Sequence, residues 1–590
     1  MKYIIIGFFL KCTLLYASYF AIEIIDEETK RGIPLVELRT VNDIVYYSDS
    51  SGMIAFYEPG LMNTNVFFHI KSHGYKYTKD GFGYYGTSLY TKSGGKHRLM
   101  MKRINVAKRL YRITGQGIYR DSIILQKTSP LKKPVINSNV LGQDTTMMTR
   151  YNNKLYWFWG DTNKASYPLG NFKVSGAISE IENPDNGINF QYFTQQDFCK
   201  QLCSFVKKGI VWIEGIIVVR NDKGKECLIA QYEQRQSLDK VLQRGLVIFN
   251  DEKSCFEPLT VFKPDDLYPR GHPLRAKVNG EEYLFFGHPH PQPFPNVRVK
   301  ASWKDVQNPK SYEVLTKKSS TFAWKRQAKY ITVDDEDWVY TRDINSKKNL
   351  RIHAGSIFWN AYRKRWILIG QELDGDASFL GEIWYAEADT PIGPWVYAQK
   401  IVTHDNYTFY NPTQHPVFDK ENGKTIYFEG TYTNTFTRKP VTATPRYNYN
   451  QIMYSLTLDD EDLRLPCPVY TKNNQLFFKN DMKKQYDDVA FFALPPDRKK
   501  DSSIAVYAYK SGQGMRLTTD EKLGKCLFYT LAEASVHSAI LYEYQNINTK
   551  EYKYSYEELS NQEWRRVKSI CHIWINPTAK FAYDFTITHE

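Results

Sequence analysis

Short stretches of alternating apolar and polar residues, bounded by clusters of Gly, Asn, Asp and Lys, recur along the chain, and that period of two predicts strands rather than helices. Between Ile22 and Arg103 the runs IEIID, IPLVEL, IVYYSDSSGMIAFYEPG and NVFFHIKSHGY predict a small β-sandwich over 19–105. From about Ser138 a longer unit recurs, and five copies align. The first runs from Asp144 to Asp161, the second from Glu214 to Glu233, the third from His272 to His288, the fourth from His353 to Glu372 and the fifth from His415 to Glu429. Each is a polar residue, an apolar strand, a polar turn (YNNK, RNDKGK, VNGE, YRKR, KENGK) and a second apolar strand that ends on a polar residue. Further strand-like sequence follows each hairpin, such as VSGAISE, GLVIFNDE, EIWYAEA and NQIMYSLTL, so four strands per repeat fit the pattern. The prediction is an all-β protein: a five-bladed β-propeller over 106–472, the N-terminal β-sandwich, and a β-rich C-terminal extension over 473–590 with a short charged helix near Glu557 to Val567.

Composition sharpens this in a few places. Hydrophobic residues at 42% and charged residues at 24% exclude a disordered chain. Aromatic residues reach 15%, which favours pleated sheets and also supplies rings that could stack on sugars or bases. Met1-Lys2, the apolar run from Tyr3 to Leu10 and the small residues up to Ala17 predict a signal peptide over 1–18, hence a secreted or periplasmic protein. No later segment is apolar for long enough to cross a bilayer as a helix. The net charge of +14 suits attraction to anionic partners, but no dense basic run stands out and no nucleic acid is expected. Eight cysteines lack a framework spacing; Cys199 and Cys203 either pair or sit one helical turn apart.

In a propeller the inner strand begins, and the second strand ends, on one face near the axis. The repeat therefore places Asp144, Glu214, His272, His353 and His415 on one ring, with Asp161, Glu233, His288, Glu372 and Glu429 at the second-strand ends. Arg270 and Arg351, two positions before His272 and His353, add positive charge that can hold carboxylates ionised or bind an anionic substrate.

Three stretches carry a resemblance. The order IPLVELRT…YYSDSSGMIAF resembles the carboxypeptidase-regulatory sandwich, which implies an accessory module. Gly142-Gln143-Asp144 with Trp159-Gly160-Asp161-Thr162 resembles an arabinan-degrading propeller family, and the stretch from Ala386 to Trp395, together with Tyr427-Phe428-Glu429-Gly430, is similar to blades of the five-bladed propeller glycoside hydrolases of families 43, 32 and 68. The WMNDPNG, RDP and EGP motifs of those relatives are absent. The resemblance implies cleavage of a polysaccharide or oligosaccharide, neutral or acidic, by a carboxylate pair. Asp144 would be base or nucleophile, Glu372 or else Glu214 the general acid, and Asp161 the orienting partner, with Arg270, Arg351, Trp159, Glu429 and Tyr432 around the sugar. No cofactor is required by that chemistry. Two alternatives stand beside it: a divalent metal, calcium or zinc, held at the axis by His272, His353 and His415, or a non-catalytic glycan-binding propeller with Trp157, Trp159, Tyr410 and Tyr432 as stacking surfaces.

Overall fold

The structure is a computed structural model that describes residues 19–289, 292–318, 321–326, 341–479, 488–512, 514–559, 562–577 and 584–589. The expected signal peptide at 1–18 lies outside the described residues.

The fold is all-β, as the alternation predicts, and five hairpins form. Their strands are Met147–Tyr151 with Lys154–Trp159, Ile210–Arg220 with Glu226–Arg235, Leu274–Val278 with Glu281–Phe286, Ile352–Asn360 with Arg365–Leu373, and Thr408–Gln414 with Thr425–Thr433. The fifth hairpin thus takes its first strand from ahead of His415, and where a strand was expected after His415 there is instead the short 3-10 turn Pro416–Phe418. The turn chemistry explains the two tightest. Asn152 and Asn153 take φ of 49° and 60°, and Asn279-Gly280 take 50° and 87°, the left-handed pairs that match the twist of flanking strands.

Each hairpin opens a sheet and is continued outward by at least two more strands. These are Ser175–Ser179 and Gln191–Tyr192 in the first sheet, Val241–Asn250 and Cys255–Phe262 in the second, Val297–Lys300 and Glu313–Lys318 in the third, and Leu380–Ala388 and Tyr397–Val402 in the fourth. The fifth sheet takes Asn450–Thr457 and is completed by Lys108–Arg112, from before the first repeat, with Ile452 opposite Arg112.

Apolar side chains on the facing surfaces lock each sheet to the next. Met147 and Phe158 of the first sheet pack with Val211 and Leu228 of the second. Ile229 and Leu246 pack with Leu284 of the third, and Phe285 packs with Ile357 and Leu368 of the fourth. The fourth meets the fifth through polar ties: Gln414 N–H donates to Ser356 Oγ at 2.8 Å and Asn360 Nδ2 to the Gly423 carbonyl at 2.8 Å. Tyr427 and Met453 of the fifth then pack on Leu155 and Trp157 of the first. The succession returns to its start, which is the architecture of a β-propeller. Inner strands of all five sheets line one cavity of about 490 Å³, among them Met148, Ile217, Arg275, Trp359 and Thr413.

The chain divides into two compact units, one ending at Ile104 and taking in Tyr119–Ser129, the other made of Asn105–Ile118 and the residues from Pro130 on. In the first unit, Phe20–Asp26, Met53–Phe56, Tyr75–Lys76 and Lys96–Arg103 form one sheet, and Glu37–Thr40, Val45–Tyr47, Asn65–Lys71 and Gly86–Tyr90 another. Both contribute to a core of Ile22, Leu38, Phe56, Phe68 and Leu99, each worth about 1.5–3 kcal/mol of burial.

In the second unit, strands between Cys467 and Trp574 build a further nine-stranded sheet. Where a charged helix was expected near Glu557 to Val567, the strand Trp564–Trp574 runs instead. Its pairing with Ser538–Asn546 overrides a helical composition that has no apolar stripe to bury. The last described strand, Ile587–Thr588, pairs with the innermost strand of the third sheet, and His589 stacks on Trp359 with centroids 3.9 Å apart. All seven cysteines among the described residues are free, so Cys199 and Cys203 do not pair.

Candidate active site

Asp144 lies just before the inner strand of the first sheet and Asp161 just after its second strand, and backbone bonds hold the two ends together. Asp144 N–H donates to the Asp161 carbonyl at 3.3 Å, and Gly160 N–H to the Asp144 carbonyl at 2.9 Å. Gly160 is required by space: a Cβ there would sit 2.4 Å from Asp144 Oδ1. The approach to Asp144 is fixed from the fifth sheet. Thr145, at φ 50°, donates its N–H to Thr431 Oγ1 at 3.0 Å, and Asn411 Nδ2 donates to Thr145 Oγ1 at 2.9 Å.

The two carboxyls differ in their surroundings. The Tyr410 hydroxyl donates to Asp144 Oδ2 at 2.6 Å and the Tyr449 hydroxyl also bonds Asp144. Asp161 receives one donor, the Trp212 indole N–H at 3.2 Å. Burial raises the pKa of both. For Asp161, burial followed by the negative charge of Asp144 lifts it to about 7, with Trp212 opposing. For Asp144, burial is opposed by the two phenols, which favour its ionised form. The net direction for Asp144 is still upward, so the two carboxyls titrate as a unit that shares a proton rather than as independent acids.

Glu214 follows Trp212 by two positions and so leaves its strand on the same face. Its Oε2 accepts the Gly271 N–H at 3.0 Å and its Oε1 lies 3.6 Å from the Arg270 guanidinium. Arg270 also reaches Glu233 at 3.7 Å. Glu233 is buried, which by itself raises its pKa, but Arg235, Arg270 and Arg244 together hold it below the ordinary range. Gly215, at φ 59°, has no room for a Cβ, which would meet the Pro269 carbonyl at 2.3 Å. His272 Nδ1 lies 3.4 Å from Thr413 Oγ1.

Several sequence-predicted residues sit elsewhere than expected. Glu372 is 1% exposed, with Lys348 Nζ at 2.6 Å from one oxygen and the Trp384 indole donating to the other at 2.9 Å, so it has no surface to offer a sugar and does not stand opposite Asp144 as the general acid. Glu429 is fully buried between the fifth and first sheets, 2.6 Å from His415 Nε2 and accepting the Thr146 hydroxyl at 3.1 Å. Neither Glu429 nor His415 faces the opening. The reason is where the strands run: Glu429 lies in the middle of Thr425–Thr433, and His415 follows the end of Thr408–Gln414 instead of opening a strand.

Trp159 and Trp157 belong to the core between the fifth and first sheets, and Tyr432 is buried and stacked on Tyr407 at 4.0 Å. With Tyr410 also buried, none of the four is a stacking surface. The three histidines do not converge: among the described residues no three His, Cys, Asp or Glu side chains assemble as a metal-ligand set. His353 is half-buried at the start of its strand, and Arg351 is exposed at the rim, 3.6 Å from Asp374.

Thus backbone bonds join Asp144 to Asp161, Glu214 pairs with Arg270, and Trp212 ties Asp161 to the strand that carries Glu214. Tyr410, Tyr449 and Gly160 were not identified as partners of Asp144. Tyr410, from the fifth sheet, and Tyr449, from the turn before its strand Asn450–Thr457, reach it from more than 250 residues away in sequence, with no local motif. The WGD triplet was the one signal for Gly160.

No protein-family model matches the chain, and no curated protein matches it. Among solved structures it is similar to an exo-β-1,3-galactanase from Phanerochaete chrysosporium at 11% identity, covering 80% of this chain and 98% of that one with a TM-score of 0.33. It is similar also to an α-L-arabinanase mutant of Cellvibrio cellulosa at 12%, covering 54% and 92% with a TM-score of 0.31, and to a Bacillus subtilis arabinanase at 11%, covering 53% and 93% with a TM-score of 0.29. Likenesses this distant leave the chemistry to be argued from the side chains of this chain alone.

Proposed function

We propose that the chain is a glycoside hydrolase that acts on a polysaccharide at the axial end of its first sheet, with Asp161 as proton donor and Asp144 as the ionised base or nucleophile. One observation carries this reading: two half-buried carboxyls at the two ends of one hairpin, joined by backbone hydrogen bonds and both raised in pKa by burial, so that the pair can share a proton. Cleavage of a glycosidic bond needs that division of labour, because the leaving oxygen must gain a proton while the anomeric carbon gains an electron pair. Tyr410 and Tyr449 hold the Asp144 carboxylate, and Trp212 positions Asp161. Arg270 keeps Glu214 and Glu233 engaged beside the pair. The apolar run before Ala17 supports delivery of the enzyme outside the cytoplasm, where polysaccharide is met.

The test is release of reducing ends from a panel of plant, algal and bacterial polysaccharides by the purified protein, with Asp144→Asn and Asp161→Asn as controls. Release by the wild type that drops by about 100-fold or more in each variant, with melting temperature maintained, is the expected result. Release that survives both substitutions, or binding of glycans with no release, would refute the assignment.

A further inference from the structure

We propose that Phe436, with Arg438 two residues on in the same loop and Arg351 sharing Asp374 with Arg438, forms a sugar subsite at the rim of the site that takes a pyranose ring bearing a carboxylate, a uronate; its place next to the reacting bond rests on the hydrolase reading of Asp144 and Asp161. Phe436 is 51% exposed and holds φ of 61°. A bulky L-residue enters that region at a cost of about 1–3 kcal/mol, and such strain gathers at ligand clamps.

The loop that carries it is braced. Asn434 N–H donates to Asn448 Oδ1 at 2.8 Å, Asn434 Nδ2 to the Val441 carbonyl at 3.0 Å, and Arg438 Nε to the Gly375 carbonyl of the fourth sheet at 2.7 Å. An apolar ring is thus fixed in water by contacts that do nothing to cover it. Its edge-on contact is with Tyr410, centroids 5.7 Å apart at 88°, and the Tyr410 hydroxyl is the one that donates to Asp144. A single side chain separates the exposed ring from the reacting carboxylate. The electron-rich face of a phenyl ring attracts the C–H face of a pyranose, which identifies a sugar as the occupant.

The charge comes from the neighbouring arginines. Arg351 and Arg438 each lie 3.6 Å from the two oxygens of Asp374, and all three side chains are nearly half exposed. Two guanidinium groups sharing one carboxylate at that distance retain N–H donors for a second one. Lys348 is already engaged by Glu372 and Asp376 and adds nothing further. A neutral sugar would use Phe436 alone, whereas a uronate would use the ring and the arginines together.

The experiment uses the Asp144→Asn protein, so that binding is read without turnover, against arrayed neutral and uronate-containing oligosaccharides, followed by calorimetry with trigalacturonate and galactotriose as matched probes. Tighter binding of uronates is expected. Phe436→Ala should weaken trigalacturonate at least tenfold and Phe436→Trp should restore it, while Arg438→Gln should weaken trigalacturonate but leave galactotriose unchanged. Equal binding of the two probes, no binding of either, or undiminished binding by Phe436→Ala overturns the subsite. Cleavage by the wild type is measured separately, so a protein that binds uronates in this pattern yet releases no reducing ends would refute the hydrolase reading while leaving the subsite standing.

Discussion

Gly160 and Asp161 show how much of the proposed chemistry depends on single positions. The Cβ of Gly160→Ala would collide with the Asp144 carboxylate, the free end of a side chain, so the backbone has no need to move but the carboxylate does. Glycan hydrolysis by this variant should slow by about 100-fold or more, while urea denaturation should show a stability change below about 1 kcal/mol. For Asp161 the sign follows from a folded-state pKa of about 7 against an ordinary value of 3.8. The native state holds a proton that the unfolded state has released, so stability falls as pH rises from about 4 to about 7 and levels off above. Activity that needs the protonated acid should fall over the upper part of the same window. Asp161→Asn should flatten the stability profile and gain about 1–3 kcal/mol at pH 8 while abolishing hydrolysis. A stability profile unchanged by the substitution would mean that the carboxyl is ordinary.

Among elements, the fourth sheet carries the densest buried charge. Glu387 accepts the Tyr385 hydroxyl at 2.6 Å and lies 3.2 Å from Arg363, 3.1 Å from Arg365 and 2.6 Å from Arg498, the last lying beyond the strand Asp488–Ala493 of the nine-stranded sheet. Burial alone would raise its pKa, but the three guanidinium groups bring it down to about 2. A lowered carboxylate stabilises the fold fully above its ordinary value near 4.5, and that contribution disappears as pH falls through about 2. Glu387→Gln leaves the buried Arg363 and Arg498 without their counter-charge, while Arg365 keeps Asp389, and should cost about 3–5 kcal/mol at pH 7, measured by denaturant titration. The penalty should shrink toward pH 2. A loss that is constant with pH would assign the effect to packing.

At the scale of the whole molecule, the ring of sheets was the most legible feature and the chemistry of its centre the least. Turn residues such as Asn152-Asn153 and Asn279-Gly280 are local, so each hairpin announces itself in a few positions. Asp144 and Asp161 were legible for the same reason, being the two ends of one hairpin. Glu372, Glu429 and His415 were misplaced because a polar residue next to an apolar run reads alike whether it opens a strand at the axis, sits within one or follows one, and only the packing of Trp384 and Trp157 decides between them. Phe436 and Tyr449 lie in a connection that carries no periodicity at all.

The fifth sheet takes its outer strand from Lys108–Arg112, and the partner strand Asn450–Thr457 is synthesised about 340 residues later. At ordinary rates of translation that delay is on the order of 20–70 s, through which Tyr111 and its neighbours lack Tyr427 and Met453, the part of their core that the fifth sheet supplies. During that interval the vacancy can be filled by the same segment of another chain as readily as by its own. High expression should therefore favour strand-exchanged dimers, and slow, dilute synthesis the closed monomer.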